Sequence, residues 1–196
     1  MTNMKKILLT TVLVLASIGG AYAQEFSENT DKYKVETNRF WNNWFISAGG
    51  GVQMYFGDAD SKASFSDRIA PAVDISLGKW FTPGLGLRLS YNGLQAKGAS
   101  MRDMNYSTGN SFNKDGVTYY ETKWDMMNVH SDVLFDLTNM LGGYNPNRVY
   151  SFIPYVGFGW AHSYDSPRTD ELTFNAGLIN KFRLSPALDL NVEFRG

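Results

Sequence analysis

The sequence predicts an all-β fold, an up-and-down antiparallel β-barrel that crosses a membrane on its strands. Three observations predict it. Seven segments of about 10 residues, the length of a tilted membrane strand, alternate apolar side chains with small or polar ones. The connections between them run long and short in turn, and a secretory leader precedes them all. Composition excludes other classes. The 196 residues carry 18 Lys and Arg against 19 Asp and Glu, a net charge of −1, so no basic surface invites nucleic acid. There is no cysteine, hence no disulfide framework, thiolate metal site, Cys nucleophile or N-terminal lipid anchor.

The leader comes first. Lys5 and Lys6 form a positive start, Ile7 to Ile18 is apolar apart from Thr10, Thr11 and Ser17, and Ala21-Tyr22-Ala23 is an A-x-A cleavage site. An apolar run of about a dozen residues falls short of the ~20 that a membrane-spanning helix needs. Residues 1–23 therefore read as a signal peptide, 24–41 as a polar periplasmic lead-in and 42–196 as the barrel.

Parity defines the faces, since alternate side chains of a strand point to opposite sides. In the first strand the apolar set begins at Trp44 and includes Ile46, Val52 and Phe56. The second contributes Val73, Ile75 and Leu77, the third Leu85, Leu87 and Leu89, and the fourth Val129, Val133, Phe135 and Leu137. Phe152, Val156, Phe158 and Trp160 come from the fifth strand, Phe174 and Leu178 from the sixth, and Leu188, Leu190 and Val192 from the seventh. These residues are expected to form one lipid-facing belt. Trp44, Phe56, Phe81, Trp160 and Phe182 stand near strand ends, where aromatic side chains sit at a membrane-water interface. In the fourth strand Trp124 and Met126 have the wrong parity, which implies either a β-bulge near Met126 or a strand that has already left the apolar zone.

The opposite face is rich in Gly, Ala and Ser, as suits a crowded concave lumen, with a few isolated charges. Asp74, Arg88, His130, Asp132, Lys181, Arg183, Asp189, Glu193 and Arg195 share this parity and are expected to pair into a lumen network, because unpaired burial of a charge is costly. Short, turn-rich links at 82–84 and 185–186, with a longer one at 139–147, alternate with loops at 57–67, 95–116 and 163–170. That pattern places the turns in the periplasm and the loops outside.

The chain resembles the OmpA-like outer-membrane β-barrel superfamily in the form common in Bacteroidetes. The resemblance covers Phe40 to Phe194. It rests on Asn43-Trp44-Phe45-Ile46-Ser47-Ala48-Gly49-Gly50-Gly51, on the hairpin Gly78-Lys79-Trp80-Phe81-Thr82-Pro83-Gly84-Leu85-Gly86-Leu87-Arg88, and on Pro154-Tyr155-Val156-Gly157-Phe158-Gly159. It implies an eight-stranded barrel in the bacterial outer membrane, with outer-membrane lipid around it and barrel-assembly machinery and periplasmic chaperones as partners in biogenesis. In many relatives a periplasmic domain that binds peptidoglycan follows. Only seven strands are legible here. Because bacterial barrels have an even strand number, the reading is of a chain that stops before its eighth strand.

Chemistry is sparse. His130 and Asp132 form a plausible pair without a nucleophile or oxyanion hole, and His162 beside Ser163 points to the opposite face from it. No ligand spacing suggests a metal, although Asp58 and Asp60 share a loop that could hold Ca²⁺. Gly49-Gly50-Gly51 lacks the Lys-Ser/Thr of a phosphate loop. No cofactor is implied. The expectation is a non-enzymatic barrel serving envelope integrity, with adhesion or minor small-solute permeability as further roles. The alternatives are a secreted lipocalin-like barrel, whose apolar parity would point inward, and an outer-membrane acyl hydrolase.

Overall fold

The alternating segments form long antiparallel strands that pair in chain order. The computed structural model describes residues 7–9, 15–18, 40–57, 59–165 and 168–196. Its strands are β1 (Ile7–Leu9), β2 (Leu15–Ile18), β3 (Trp44–Phe56), β4 (Ile69–Trp80), β5 (Leu85–Ser100), β6 (Ser107–Lys114), β7 (Val117–Phe135), β8 (Tyr150–Ser163), β9 (Asp170–Ser185) and β10 (Leu188–Arg195). Two short helices, α1 (Phe65–Arg68) and α2 (Leu137–Gly142), sit in connections. The predicted strands one to seven are β3, β4, β5, β7, β8, β9 and β10, while β6 is an outer flap paired only with β7. Among the described residues no helix is long and apolar enough to cross a membrane.

Parity settles which way the wall faces. Ile46, Ile75 and Leu89 are each 56% exposed and Phe158 is 74% exposed, whereas Asp74, Asp132 and Glu193 on the other face are fully buried. The apolar face points outward and the charges point inward, the reverse of what a lipocalin-like barrel requires. Val52, Leu77, Leu85, Leu87, Val133, Phe152, Val156 and Phe174 are also exposed, while Val73, Val129, Phe135, Leu178, Leu188, Leu190 and Val192 are half-buried on the same face. Trp44, Phe81 and Phe182 lie at the end with the tighter turns. Phe56 and Trp160 lie at the opposite end, so the rings form two girdles.

Three local features need the structure to resolve them. The pairing of β5 with β7 runs without a shift from Leu85 opposite Phe135 to Ser100 opposite Tyr120, so of the two readings that parity left open near Met126 there is no bulge, and the strand has left the apolar zone there. Trp124 and Met126 instead keep inward parity, where the lumen widens into an aromatic-lined mouth. Second, the span 95–116, read as loop, contains the end of β5 and all of β6. A strand above the membrane needs no apolar face, so hydropathy leaves no trace of it. The β6–β7 link is Asp115-Gly116, whose φ values of 54° and 77° are those of a two-residue hairpin turn. Third, Leu137 begins α2 rather than ending a strand. The Asp136 carboxylate accepts from the Asn139 backbone N–H at 2.9 Å, capping the helix that fills much of the 139–147 link.

The seam between β3 and β10, expected to be open, holds chain. β2 pairs with β10 from Leu188 opposite Ile18 to Asn191 opposite Leu15, and with β3 at Leu15–Gly49 and Ala16–Ala48, while β1 pairs with β3 at its outer end. The physical reason is that free edges of β3 and β10 present unpaired N–H and C=O groups, and residues 7–9 and 15–18 supply extended backbone to meet them. The rest of the proposed signal peptide and the lead-in up to residue 39 lie outside the described residues.

Candidate functional site: a plugged lumen beneath an outer cavity

The inward face of β7 orders the lumen. From the turn end it presents Leu134, Asp132, His130, Asn128, Met126 and Trp124 in succession. Leu134, Ile153, Tyr155 and Ile179 form a buried apolar floor, with Phe45 and Trp80 packed against it.

Above this floor lies the charge network. Arg88 donates through Nε and Nη2 to Asp132 Oδ2 at 3.0 and 2.8 Å, and through Nη1 and Nη2 to Glu193 at 2.9 and 3.0 Å. One planar guanidinium thus bridges two carboxylates from β7 and β10, a geometry that Arg alone among side chains supplies. Arg195 donates to Glu193 Oε1 and to the Tyr155 hydroxyl oxygen, and its Nη2 lies 2.8 Å from Asp74 Oδ2. The Tyr155 hydroxyl in turn donates to Glu193 at 2.5 Å, and Arg88 stacks 4.5 Å from the Tyr155 ring centroid. His130 Nδ1 meets Asp132 Oδ1 at 2.8 Å. Six of the nine lumen residues read from the sequence therefore converge: Asp74, Arg88, His130, Asp132, Glu193 and Arg195.

Glycine makes room for them. A Cβ on Gly157 would collide with the Asp132 carboxylate and the Ser131 carbonyl, and one on Gly177 would collide with the Tyr155 hydroxyl and the Phe194 carbonyl. The recurrent Gly of the inward face is what lets carboxylates and guanidiniums meet in so narrow a barrel.

The other three lumen residues stand apart from this cluster. Lys181 sets its ammonium 5.5 Å from the Trp80 ring centroid, Arg183 donates to the Pro146 carbonyl, and Asp189 lies opposite Arg183 in the β9–β10 register. Ile179 of the apolar floor separates this turn-end group from the network, which period-two parity could not reveal because it carries no information on height along the barrel.

Other candidates resolve into structural contacts. His162 Nδ1 meets Asp170 at 2.7 Å with its ring packed beside Trp160 and Tyr164, and it has no bond to Ser163. Asp60 accepts from the Gly57 and Ala99 backbone N–H groups, which pins the first outer loop to β5; Asp58 lies outside the described residues. Gly49-Gly50-Gly51 is mid-strand. Among the described residues no three His, Cys, Asp or Glu side chains are grouped to hold a metal ion.

Lys79 is the residue that parity misplaces. It stands on the lipid face of β4 yet is buried, donating to the Asn42 carbonyl at 2.5 Å with its ammonium 5.7–5.8 Å from the rings of Phe40, Trp44 and Phe81. A charge at the turn-end girdle is tolerated because aromatic faces and a carbonyl replace water. Its flanking aromatic residues were the available signal.

Comparison with known proteins agrees with this architecture. The chain is 29% identical over 202 residues to Outer membrane protein 40 of Porphyromonas gingivalis (strain ATCC BAA-308 / W83), covering 93% of this chain and 48% of that protein. It is also 29% identical over 161 residues to Outer membrane protein 41 of the same organism, covering 80% of this chain and 38% of the relative. The protein resides in the bacterial outer membrane. The chain spans less than half the length of these relatives. No family profile matches it, and no solved structure does.

Proposed function

We propose that the protein is an OmpA-like outer-membrane barrel with a non-enzymatic, structural role in envelope integrity, and that it does not form a general pore. The observation that supports this reading is the lumen plug. Arg88, Asp132, Glu193, Arg195 and Tyr155 lie interlocked over an apolar floor of Leu134, Ile153 and Ile179, so solute passage requires breaking several buried charge-assisted hydrogen bonds at once. Residues 1–23 act as a cleaved signal peptide. Outer loops, the β6 flap among them, are the surface available for adhesion. Planar-bilayer recordings of the purified gene product test the plugged reading: no stable conductance is expected, and large, long-lived channels from folded protein would overturn it.

A further inference from the structure

We infer that the loop-end rim of the wall from β3 to β7 is a binding site for a phosphorylated glycolipid of the outer leaflet. Three cations stand there on the outward face. Lys97 of β5 lies directly opposite Lys123 of β7, next to the inward pair Ala96 and Trp124, so both ammonium groups leave the same outer face. Side chains so placed have Cβ atoms about 4.5–5.5 Å apart, and like charges there repel. Arg68, the last residue of α1, sets its guanidinium 5.5 Å from the ring centroid of Phe56 in the loop-end girdle. α1 packs against β5 and leads into β4, which places Arg68 on the flank of β5 away from β7. Among the described residues none of the three cations has an ion-pair partner, and Glu121, diagonal to Lys97, accepts instead from Asn110 and Thr108 of β6. Apolar surface adjoins them. Phe65, three residues before Arg68 on the same face of α1, is 65% exposed, and Phe56 and Tyr91 are exposed as well.

Charge and depth narrow the ligand class. Two ammonium groups held opposite one another call for a partner with about two negative charges, which a phosphate monoester supplies at neutral pH. A glycerophospholipid phosphate is a diester with a single charge and offsets only one of them. Lys97 and Lys123 donate to oxygens of one phosphate, while the guanidinium fork of Arg68 donates to a neighbouring phosphate or sugar oxygen. The acyl chains then descend along Phe56, Phe65 and Tyr91 onto the apolar wall. Free phosphate would use the cations and none of that surface. The longer loops mark this end as the outer one, so the lipid is that of the outer leaflet. The site's strands β3, β4, β5 and β7 pair in chain order, so it is independent of what fills the seam between β3 and β10.

The test is titration calorimetry and native mass spectrometry of the folded gene product in lauryl dimethylamine oxide, with EDTA present so that no divalent ion links phosphate to Asp125 or Glu121. The probes are diphosphoryl lipid A, its dephosphorylated form, phosphatidylglycerol and inorganic phosphate. Heat-modifiable gel migration scores folding separately. Saturable binding of diphosphoryl lipid A is expected, at least tenfold tighter than that of any other probe. Lys97→Gln combined with Lys123→Gln should weaken it tenfold or more and Arg68→Gln threefold or more, while Lys114→Gln on the β6 flap leaves it unchanged. Lys123→Glu should weaken binding as strongly yet raise the urea midpoint of the lipid-free protein, because it turns a like-charged pair into an opposite one. No binding of diphosphoryl lipid A by folded protein overturns the inference. So does equal binding of phosphatidylglycerol, of the dephosphorylated lipid or of inorganic phosphate, or lipid binding that the Lys97 and Lys123 variants leave intact. Each of these outcomes leaves the plugged-barrel reading standing, because that reading depends on conductance.

Discussion

Replacing Arg88 with Met removes the hub of the plug while keeping most of its aliphatic volume. Arg88 makes four charge-assisted hydrogen bonds to two buried carboxylates, so the variant takes their shared cation from Asp132 and Glu193. Removing one partner of a buried ion pair costs about 3–5 kcal/mol, since the remaining charge is left uncompensated. Two carboxylates are affected here, yet neither is abandoned. Asp132 keeps His130, and Glu193 keeps Arg195 and Tyr155. The expected loss is therefore about 3–5 kcal/mol for the pair together rather than for each. Loss of the stacking contact on Tyr155 adds about 0.5–2 kcal/mol. Urea unfolding of refolded protein in lipid vesicles, followed by tryptophan fluorescence, measures the difference. Arg88→Lys should recover less than half of the loss, because a point ammonium cannot bridge both carboxylates bidentately. An Arg88→Met protein within about 1 kcal/mol of the parent would refute the argument that the plug carries stability.

Further predictions follow from the wall, the glycines and the outer loops. Ile75→Arg lies at mid-wall on the lipid face and should cost about 2–4 kcal/mol of folding free energy in vesicles. Leu87→Arg, beside the girdle and opposite Lys79, should cost less, so equal losses would contradict the depth assignment. Ser90, although of polar parity, is buried beside His130 in register and cannot accept Arg; Ser111→Arg on the exposed flap is the neutral control. Gly157→Ala should destabilise by about 1–3 kcal/mol or prevent folding, as judged by heat-modifiable migration, because its Cβ meets Asp132 and backbone. In the outer loops a hydrogen bond between Lys62 and Asp115 at 2.8 Å, and their mutual attraction, lower the Asp115 carboxyl pKa and raise that of the Lys62 ammonium. The carboxyl's share of the tie is lost as pH falls through its depressed folded pKa, and the ammonium's as pH rises through its raised one. The tie is thus full between about pH 4 and 10. Asp115→Asn keeps the turn chemistry but removes the charge; proteolysis of the 57–68 loop at neutral pH should quicken while the unfolding midpoint stays put, and an unchanged cleavage rate would dismiss the tie.

Strand order, wall orientation and the inward parity of Arg88, Asp132, Glu193 and Arg195 were legible in the sequence, whereas Tyr155, whose hydroxyl ties Glu193 to Arg195, was not among the residues read for the network. The reason is that lipid outside and a crowded lumen inside impose a strict two-residue period, and Ile46 against Ser47 or Leu87 against Arg88 reads without ambiguity. The tertiary structure alone decided what that period cannot encode. Height along the barrel separates Arg183 and Lys181 from Arg88, because Ile179 intervenes on the same face of β9. The outer halves of β5, β6 and β7 rise above the lipid, where no apolar face is demanded, and only the Asp115-Gly116 pair betrayed them. Lys79 escaped because parity assigns a face but cannot show three aromatic rings and a carbonyl gathering round one ammonium. The aromatic corner of Tyr55, Tyr106 and Trp124 sets β3 beside β7 and the turn that precedes β6. Such a corner exists only once the wall has curled and brought them to one mouth.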